Sequence, residues 1–325
     1  VTPAEGETQV SRSVEAGVFE PVETELAIDA DDIVLATGSR PLALPGNPFA
    51  GALIDSTQAL ELNTLPSSAV IIGAGAVALE FASLWNAAGC EVTLLIRKDR
   101  VLSTWERRAS MTLTRELKRR GVNVIARTAV DRVDTGANLG ATVHYRQGDS
   151  DEDRTAYGEV VLAAIGRVPN TDADWFRSSG LKLDERGYVT VDGYGRTNLD
   201  GVWALGDITP GHALAHRAFE QGITIAEKIA GADPKPVIDD TVPQVVFSFP
   251  EAASVGLTLD QAKAREDVVE PKETAYPMLS NARMLMSGEG GSMTVVSGAF
   301  ANNPDMQVVL GVHIVSPIAS DLIAE

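Results

Sequence analysis

Between residues 69 and 126 the chain alternates short apolar runs with stretches of helical periodicity. Val70-Ile71-Ile72 reads as a buried strand, and the glycine turn after it opens a helix to about Ala88, with Gly89 as the C-cap. Val77, Phe81, Leu84 and Ala88 recur at spacings of three and four, which predicts the stripe that packs on a sheet. A second strand is expected over 91–96, a helix over 107–120 closed by Gly121, and another strand over 122–126. This alternation predicts an α/β fold built on a mostly parallel sheet.

The flanking patterns are less regular. Residues 14–26 mix acidic residues with Val and Phe, as in short strands, and lead to Ile33-Val34-Leu35-Ala36, an apolar run that predicts a buried strand ending in a turn. Pro41, Pro45, Gly46 and Pro48 then carry the chain across a domain boundary to a short helix over 56–62, with Ser56 as its N-cap. Residues 129–165 hold two or three strands around the polar stretch 147–157 and end in the apolar run 160–165. Residues 202–205 form a short buried strand stopped by Gly206-Asp207, residues 211–229 are helical, and Pro234-Lys235-Pro236 is a linker. After Val242, strand and hairpin patterns at 245–249 and 308–315 surround a helix at 259–265, which predicts a separate α+β domain.

At 325 residues and 44% hydrophobic content, the chain can bury cores for two or three domains. Its 45 acidic against 27 basic residues give a net charge of −18, which argues against nonspecific binding to nucleic acid or to an anionic membrane. No apolar run is long enough to span a bilayer, and Val1-Thr2-Pro3-Ala4-Glu5 lacks the pattern of a signal peptide, so a cytoplasmic protein is expected. Cys90 is the sole cysteine. It cannot form an internal disulfide and is expected to be a small buried apolar residue rather than a nucleophile.

Gly73-x-Gly75-x-x-Ala78 follows a strand and opens a helix, the context in which this spacing binds a dinucleotide. Gly73 permits the tight turn, Gly75 lets the backbone approach a pyrophosphate, and the helix amino terminus supplies N–H groups and a positive dipole. An acidic residue at the end of the second strand would hold the ribose hydroxyl of NAD, but Ile96 stands there, followed by Arg97 and Lys98. Guanidinium donors suit a 2′-phosphate, so the reading leans to NADP over NAD, with a solvated basic loop as the alternative. His212 and His216 have the spacing of a zinc pair with Asp207 upstream, but no further His or Cys is near and no metal site is expected. His144 and His313 stand alone in strand patterns and are expected to be structural.

Ala36-Thr37-Gly38, the turn at Gly73, Ala164-Ile165-Gly166-Arg167-Val168-Pro169-Asn170 and Leu205-Gly206-Asp207 occur in this order. The series resembles the flavoprotein disulfide reductases. Leu214-Ala215-His216-Arg217, Phe249-Pro250-Glu251, Ala253-Ser254-Val255-Gly256, Gly311-Val312-His313 and the stretch 320–325 make it similar to the dihydrolipoamide dehydrogenase branch. The likeness runs from Asp31 to Glu325.

The resemblance implies a Rossmann-like NAD(P)-binding domain (63–172), a partial FAD-binding domain from 1–62 and 173–236, and a truncated α+β dimerisation domain (237–325). It implies FAD as cofactor, with Thr37, Gly38 and Gly166 at cofactor-binding positions and Asp207 hydrogen-bonded to the flavin's ribityl chain. Leu214, Ala215 and His216 would begin a helix whose N–H groups face the flavin and stabilise charge on its reduced ring. Glu80 would pair with a lysine beside the flavin from a segment this chain does not carry, which leaves it without a partner or as a solvated glutamate.

The implied activity is electron transfer from a dithiol, a small one or a lipoyl domain, through paired cysteines and FAD to NAD(P) in a homodimer. No second glycine fingerprint, no cysteine pair and no terminal His-Glu pair occur in the sequence. The expectation is therefore a fragment with no catalytic residue of its own and no lipoamide turnover alone. Two alternatives stay open: an NADPH-dependent thiol-disulfide reductase of the glutathione or mycothione reductase type, and a noncatalytic nucleotide-binding fragment.

Overall fold

The computed structural model describes residues 28–136, 140–287 and 290–324. The expected short strands at 14–26 and the last residue of the 320–325 match lie outside the described residues. The first elements are β1 (Ile33–Leu35), β2 (Ser39–Pro41), β3 (Leu53–Ile54), α1 (Ser56–Leu60), β4 (Ser68–Ile72), α2 (Ala76–Ala87), β5 (Glu91–Ile96), α3 (Arg107–Arg119) and β6 (Asn123–Ala126). They are followed by β7 (Thr128–Thr135), β8 (Ala141–Gln147), β9 (Arg154–Gly158) and β10 (Val160–Ala163).

Five of these strands form one parallel sheet in the order β3-β10-β4-β5-β6. β4 sits at its centre because Ala69 to Ile72 are buried on both faces, as an unbroken apolar run requires. The chain leaves β4 towards β5 and β6 on one side and returns as β10 on the other, so the crevice between the carboxyl ends of β4 and β10 is a topological switch point. One face carries α2 and α3, and the other carries the antiparallel sheet β7-β8-β9 through Val143 and Tyr145.

α2 corrects the predicted stripe. Ala78, Leu79, Phe81, Ala82 and Trp85 are buried, whereas Leu84 is 58% exposed and Ala88 is exposed. The helix is covered on more than one side: its core continues into Val246, Ala252 and Val315 of the carboxyl-terminal region, and Phe249 N–H donates to Ser83 Oγ at 3.1 Å. A helix packed on two neighbours buries a face wider than one stripe. The N-cap of α1 is also corrected, from Ser56 to Asp55. Asp55 is extended and accepts the Gln58 N–H at 2.8 Å, while Gln58 Oε1 accepts the Asp55 N–H at 3.1 Å, a reciprocal box that leaves Ser56 helical.

Next come β11 (Arg167–Pro169), α4 (Asp174–Ser178), β12 (Val202–Ala204) and α5 (Ala215–Ile229). β1 and β12 pair in parallel, and β2 and β11 pair antiparallel. β1 was expected to be buried, yet Ile33 and Val34 are 49% and 44% exposed. A two-stranded pair among the described residues leaves one face of β1 uncovered. α5 begins at Ala215 rather than at 211, because Arg217 ties the preceding loop down: its guanidinium donates to the Pro210 carbonyl at 2.6 Å and to Asp239 at 2.5 Å.

The last elements are β13 (Gln244–Val246), β14 (Glu251–Gly256), α6 (Leu259–Ala264), β15 (Val268–Pro277), α7 (Ala282–Ser287), β16 (Ser292–Phe300), β17 (Asn303–Ser316) and α8 (Ala319–Leu322). The five strands form an antiparallel sheet in the order β13-β14-β17-β16-β15. This is the α+β region that the change of pattern after Val242 predicts; it has its own antiparallel sheet but shares a core with α2 through Val246, Ala252 and Val315.

Candidate functional site: a glycine turn on a cavity

The helices of twelve or more residues differ at their amino ends. α3 is capped by its own sequence, with Glu106 accepting from Arg108 N–H at 2.6 Å and Ala109 N–H at 2.7 Å. α2 and α5 have no side-chain cap, since Gly75 and Leu214 occupy the N-cap positions. Bare helix amino termini leave N–H groups and positive dipole for an outside anion.

The bare end of α2 opens on a cavity of about 690 Å³. Gly73 to Val77 form one wall, Ala163 to Arg167 a second, and Arg97 and Lys98 stand at the end of β5. The two glycines do different work. Gly73 has φ +143°, and a Cβ there would lie 2.2 Å from the Ala164 carbonyl oxygen, so the contact between the β4 and β10 ends requires glycine. Around Gly75 nothing lies within 4 Å of such a Cβ. Packing does not demand glycine there, but a close backbone approach by a ligand would. Ala78 is fully buried where α2 meets the sheet.

Ile96 is fully buried and offers no polar group, whereas Arg97 and Lys98 are exposed, line the cavity and have no ion-pair partner among the described residues. The shape, the free amino terminus and the two cations fit a dinucleotide's pyrophosphate and a further phosphate. Ser103 and Thr128 also line this cavity and escaped sequence reasoning, because neither belongs to a motif.

The second cluster gathers residues far apart in sequence. Thr37 Oγ1 donates to the Asn170 carbonyl at 2.9 Å, Asn170 Nδ2 donates to the Thr37 carbonyl at 2.9 Å, and Asn170 N–H donates to the Gly38 carbonyl at 2.9 Å. Gly38 has φ +71° and Gly166 φ +144°, both in open space. Asp207 lies on a short turn after β12 and accepts from Ser39 Oγ at 2.5 Å. Ser39 is in turn held by Arg167, whose Nε and Nη2 donate to its hydroxyl and carbonyl at 2.7 Å each. Ser39 directly follows the motif at 36–38 and Arg167 lies inside the one at 164–170, but only the β2·β11 pairing gives them a role.

α5 starts with Leu214 as N-cap, and Ala215 and His216 are exposed at its open end. His216 Nε2 donates to the Pro243 carbonyl at 2.7 Å, and His212 lies 3.3 Å from Gln244 Nε2, so each histidine has its own contact. No group of three or more metal-ligating side chains occurs among the described residues. Half-open Asp207 and the bare start of α5 are a hydrogen-bond acceptor and an anion-stabilising dipole, which fits a flavin's polyol and reduced ring.

Glu80 departs from expectation. It accepts the Phe247 N–H at 3.0 Å and so ties α2 to the residue that follows β13, where a missing or solvent partner was expected. Cys90 is buried, and burial with nearby Glu159 and Glu91 pushes its thiol up to about 11. It is no nucleophile at neutral pH. His313 is buried, accepts from Ser254 Oγ at 2.7 Å and donates to the Leu257 carbonyl at 3.2 Å. Burial holds its pKa below the ordinary histidine value, against the opposing effects of that carbonyl and of Glu106. His144 bridges Asp134 at 2.9 Å and Asp153 at 3.3 Å. No described helix is long and apolar enough to cross a membrane.

Comparison with known proteins agrees with this fold. The chain is 38% identical over 298 residues to a dihydrolipoyl dehydrogenase of Geobacillus stearothermophilus, covering 90% of this chain and 60% of that protein. It is 36% identical over 301 residues to one of Cupriavidus necator, covering 92% and 61%. Among solved structures, LpdA from Mycobacterium tuberculosis superposes with a TM-score of 0.79 at 30% identity, over 91% of this chain and 62% of that one. The HOCl-induced flavoprotein disulfide reductase RclA from Escherichia coli gives 0.78 at 25% identity, over 90% and 65%. The chain thus spans about three-fifths of the length of these curated relatives. Residues 1–222 match the family described as pyridine nucleotide-disulphide oxidoreductase, and residues 242–325 match its dimerisation domain. The chain belongs to the pyridine nucleotide-disulphide oxidoreductase family, a flavoprotein family that uses FAD and NAD(P).

Proposed function

We propose that this chain is the nucleotide-binding and interface part of an oxidoreductase of the dihydrolipoyl dehydrogenase type, which passes electrons between a dithiol and a nicotinamide nucleotide. The carrying observation is the bare amino terminus of α2 opening on a cavity at the switch point, with Gly75 unconstrained by packing. Gly73, Gly75 and Ala78 hold the pyrophosphate turn, and Arg97 and Lys98 receive a 2′-phosphate. Flavin supplies the two-electron step that links thiol chemistry to hydride chemistry. On the flavin side, Thr37, Gly38 and Gly166 form the crossing, Asp207 orients the polyol, and Leu214, Ala215 and His216 present helix N–H groups to the ring. The functional units follow residues 1–62 and 173–236 for flavin, 63–172 for the nucleotide and 237–325 for pairing into a homodimer. The dithiol is a small molecule or a lipoyl group, as the names of the curated relatives suggest.

A second reading, an NADPH-dependent thiol-disulfide reductase, draws on one observation. Buried Ile96 removes the acidic partner of the NAD ribose, and two free cations follow it on the cavity wall. Both readings share the preference for NADPH. Arg97→Ala with Lys98→Ala should raise the Kd for NADPH by about 10- to 100-fold, the loss of one or two charge-assisted bonds, and change NADH within about twofold. Titration of both nucleotides into the chain and the variant checks this. Equal losses for the two would remove the 2′-phosphate role and leave a solvated basic loop.

A further inference from the structure

Asp207 and the open start of α5, the two groups that fit a flavin's polyol and reduced ring, stand at the two ends of one irregular segment, residues 207–214. A binding group carried on a loop is only as precise as the contacts that fix the loop. Here α5 itself reaches back to hold the segment. Arg217 is buried, and its guanidinium donates through Nη2 to the Pro210 carbonyl at 2.6 Å and through Nε to Asp239 at 2.5 Å. Nη1 reaches the Thr209 hydroxyl and the His212 carbonyl at 3.5 Å each. The Thr209 hydroxyl donates in turn to the Gly206 carbonyl at 2.8 Å, which closes the turn on which Asp207 stands. Four residues along α5, Gln221 Oε1 accepts the Gly206 N–H at 2.8 Å.

Local physics disfavours a cation at this position. Arg217 lies in the first turn of α5, at the positive end of the helix dipole, and a buried charge is costly unless it is paired and hydrogen-bonded. Asp239, on the turn ahead of β13, supplies the countercharge, the loop supplies the acceptors, and the arginine fork reaches several of them at once. The loop is shaped to the pair. Gly211 has φ +120°, and a Cβ there would lie 2.3 Å from Arg217 Nη2 and 2.4 Å from Asp239 Oδ2, so the loop backbone rests directly on the ion pair.

We infer that Arg217 is a positioning residue for the flavin: paired with Asp239, it fixes Asp207 relative to the N–H groups that begin α5. The role rests on the flavin reading above. It assigns to the buried guanidinium the geometry between a hydrogen-bond acceptor and a helix terminus that no direct bond joins.

Amide exchange of the full chain, with titrations of FAD and of NADPH, tests this in wild type, Asp239→Asn and Arg217→Lys. Asp233→Asn is the control, since it removes an exposed ion pair with Lys228 at the other end of α5. Asp239→Asn keeps the shape of the partner and removes its charge, whereas Arg217→Lys keeps the charge and removes the fork. In both, amides within 206–216 should exchange at least about 10-fold faster while those of β4 and β5 keep their rates. The Kd for FAD should rise about 10-fold or more, and the Kd for NADPH should stay within about twofold. The control should match wild type throughout. The split between the two ligands separates positioning from a general loss of stability, and either variant carries the test should the other not fold. Unchanged FAD affinity in a variant whose loop amides exchange faster would overturn the positioning role. So would unchanged loop exchange, or a loss of NADPH affinity equal to the loss for FAD. No FAD binding by wild type would overturn the flavin reading, and the role with it.

Discussion

The proposed nucleotide side and the proposed flavin side of this chain are built to different standards of closure. The first is a five-stranded parallel sheet whose central residues Val70, Ile71, Leu94 and Leu162 are fully buried under α2 and α3 and under the sheet β7-β8-β9. The second rests on paired strands: β1·β12, with Ile33 and Val34 half exposed, and β2·β11, stitched by Thr37, Ser39, Arg167 and Asn170. A closed apolar core holds the glycine turn in place before any ligand arrives. The flavin-side residues are positioned mainly by directional polar bonds, each worth about 0.5–1.5 kcal/mol net. Binding geometry can therefore be present on both sides while its rigidity differs.

The largest effect separates the two glycines of the turn. Gly73→Ala should destabilise the chain by about 3 kcal/mol or more, because its Cβ meets the Ala164 carbonyl and its φ is left-handed. Gly75→Val should leave the melting temperature within a few degrees but abolish nucleotide binding. Calorimetric melting combined with a binding titration reads both. Equal stability losses at the two positions would mean that Gly75 serves packing alone.

Hydrogen exchange tests the contrast in closure directly. Amides of β1 and β12 should exchange at least about 100-fold faster than those of β4 and β5, as expected for an element with few buried contacts beside the core of a closed sheet. Equal protection would mean that the polar stitching is as strong as the apolar core.

A smaller effect concerns His313 in the carboxyl-terminal sheet. Burial lowers its folded pKa, so the unfolded chain binds the proton more readily. The stability that neutral His313 retains at pH 7 should fall as pH drops through the ordinary histidine range towards the lowered folded value. His313→Asn should show a flatter dependence of melting temperature between pH 7 and 5. Parallel slopes would remove His313 as the source.

The closed region was the more legible in sequence. Val70-Ile71-Ile72 and residues 91–96 gave the central strands, because a doubly covered parallel strand leaves an uninterrupted apolar run. Gly89 and Gly121 marked helix ends through their positive φ, and both carry it, at +94° and +102°. Legibility ended where partners come from distant sequence. Leu84 continued a helical stripe, yet α2 also packs on the carboxyl-terminal sheet, which shifts the buried face. Ile33 and Val34 looked like core because apolar character records what a strand can bury, not what covers it. Ser39, Arg167 and the Glu80 contact with Phe247 depend on pairings across more than a hundred residues, and no local pattern encodes them. Asp55 was overlooked beside Ser56 because both are good caps and only the reciprocal bond with Gln58 decides between them.

Isothermal titration of the chain with NADPH and with NADH, read together with the absorbance spectrum of the purified protein, tests the central claim most directly. The account predicts one saturable site per chain, tighter for NADPH than for NADH, whether or not a flavin spectrum accompanies it. No binding heat with either nucleotide, from a chain that melts cooperatively, would contradict it.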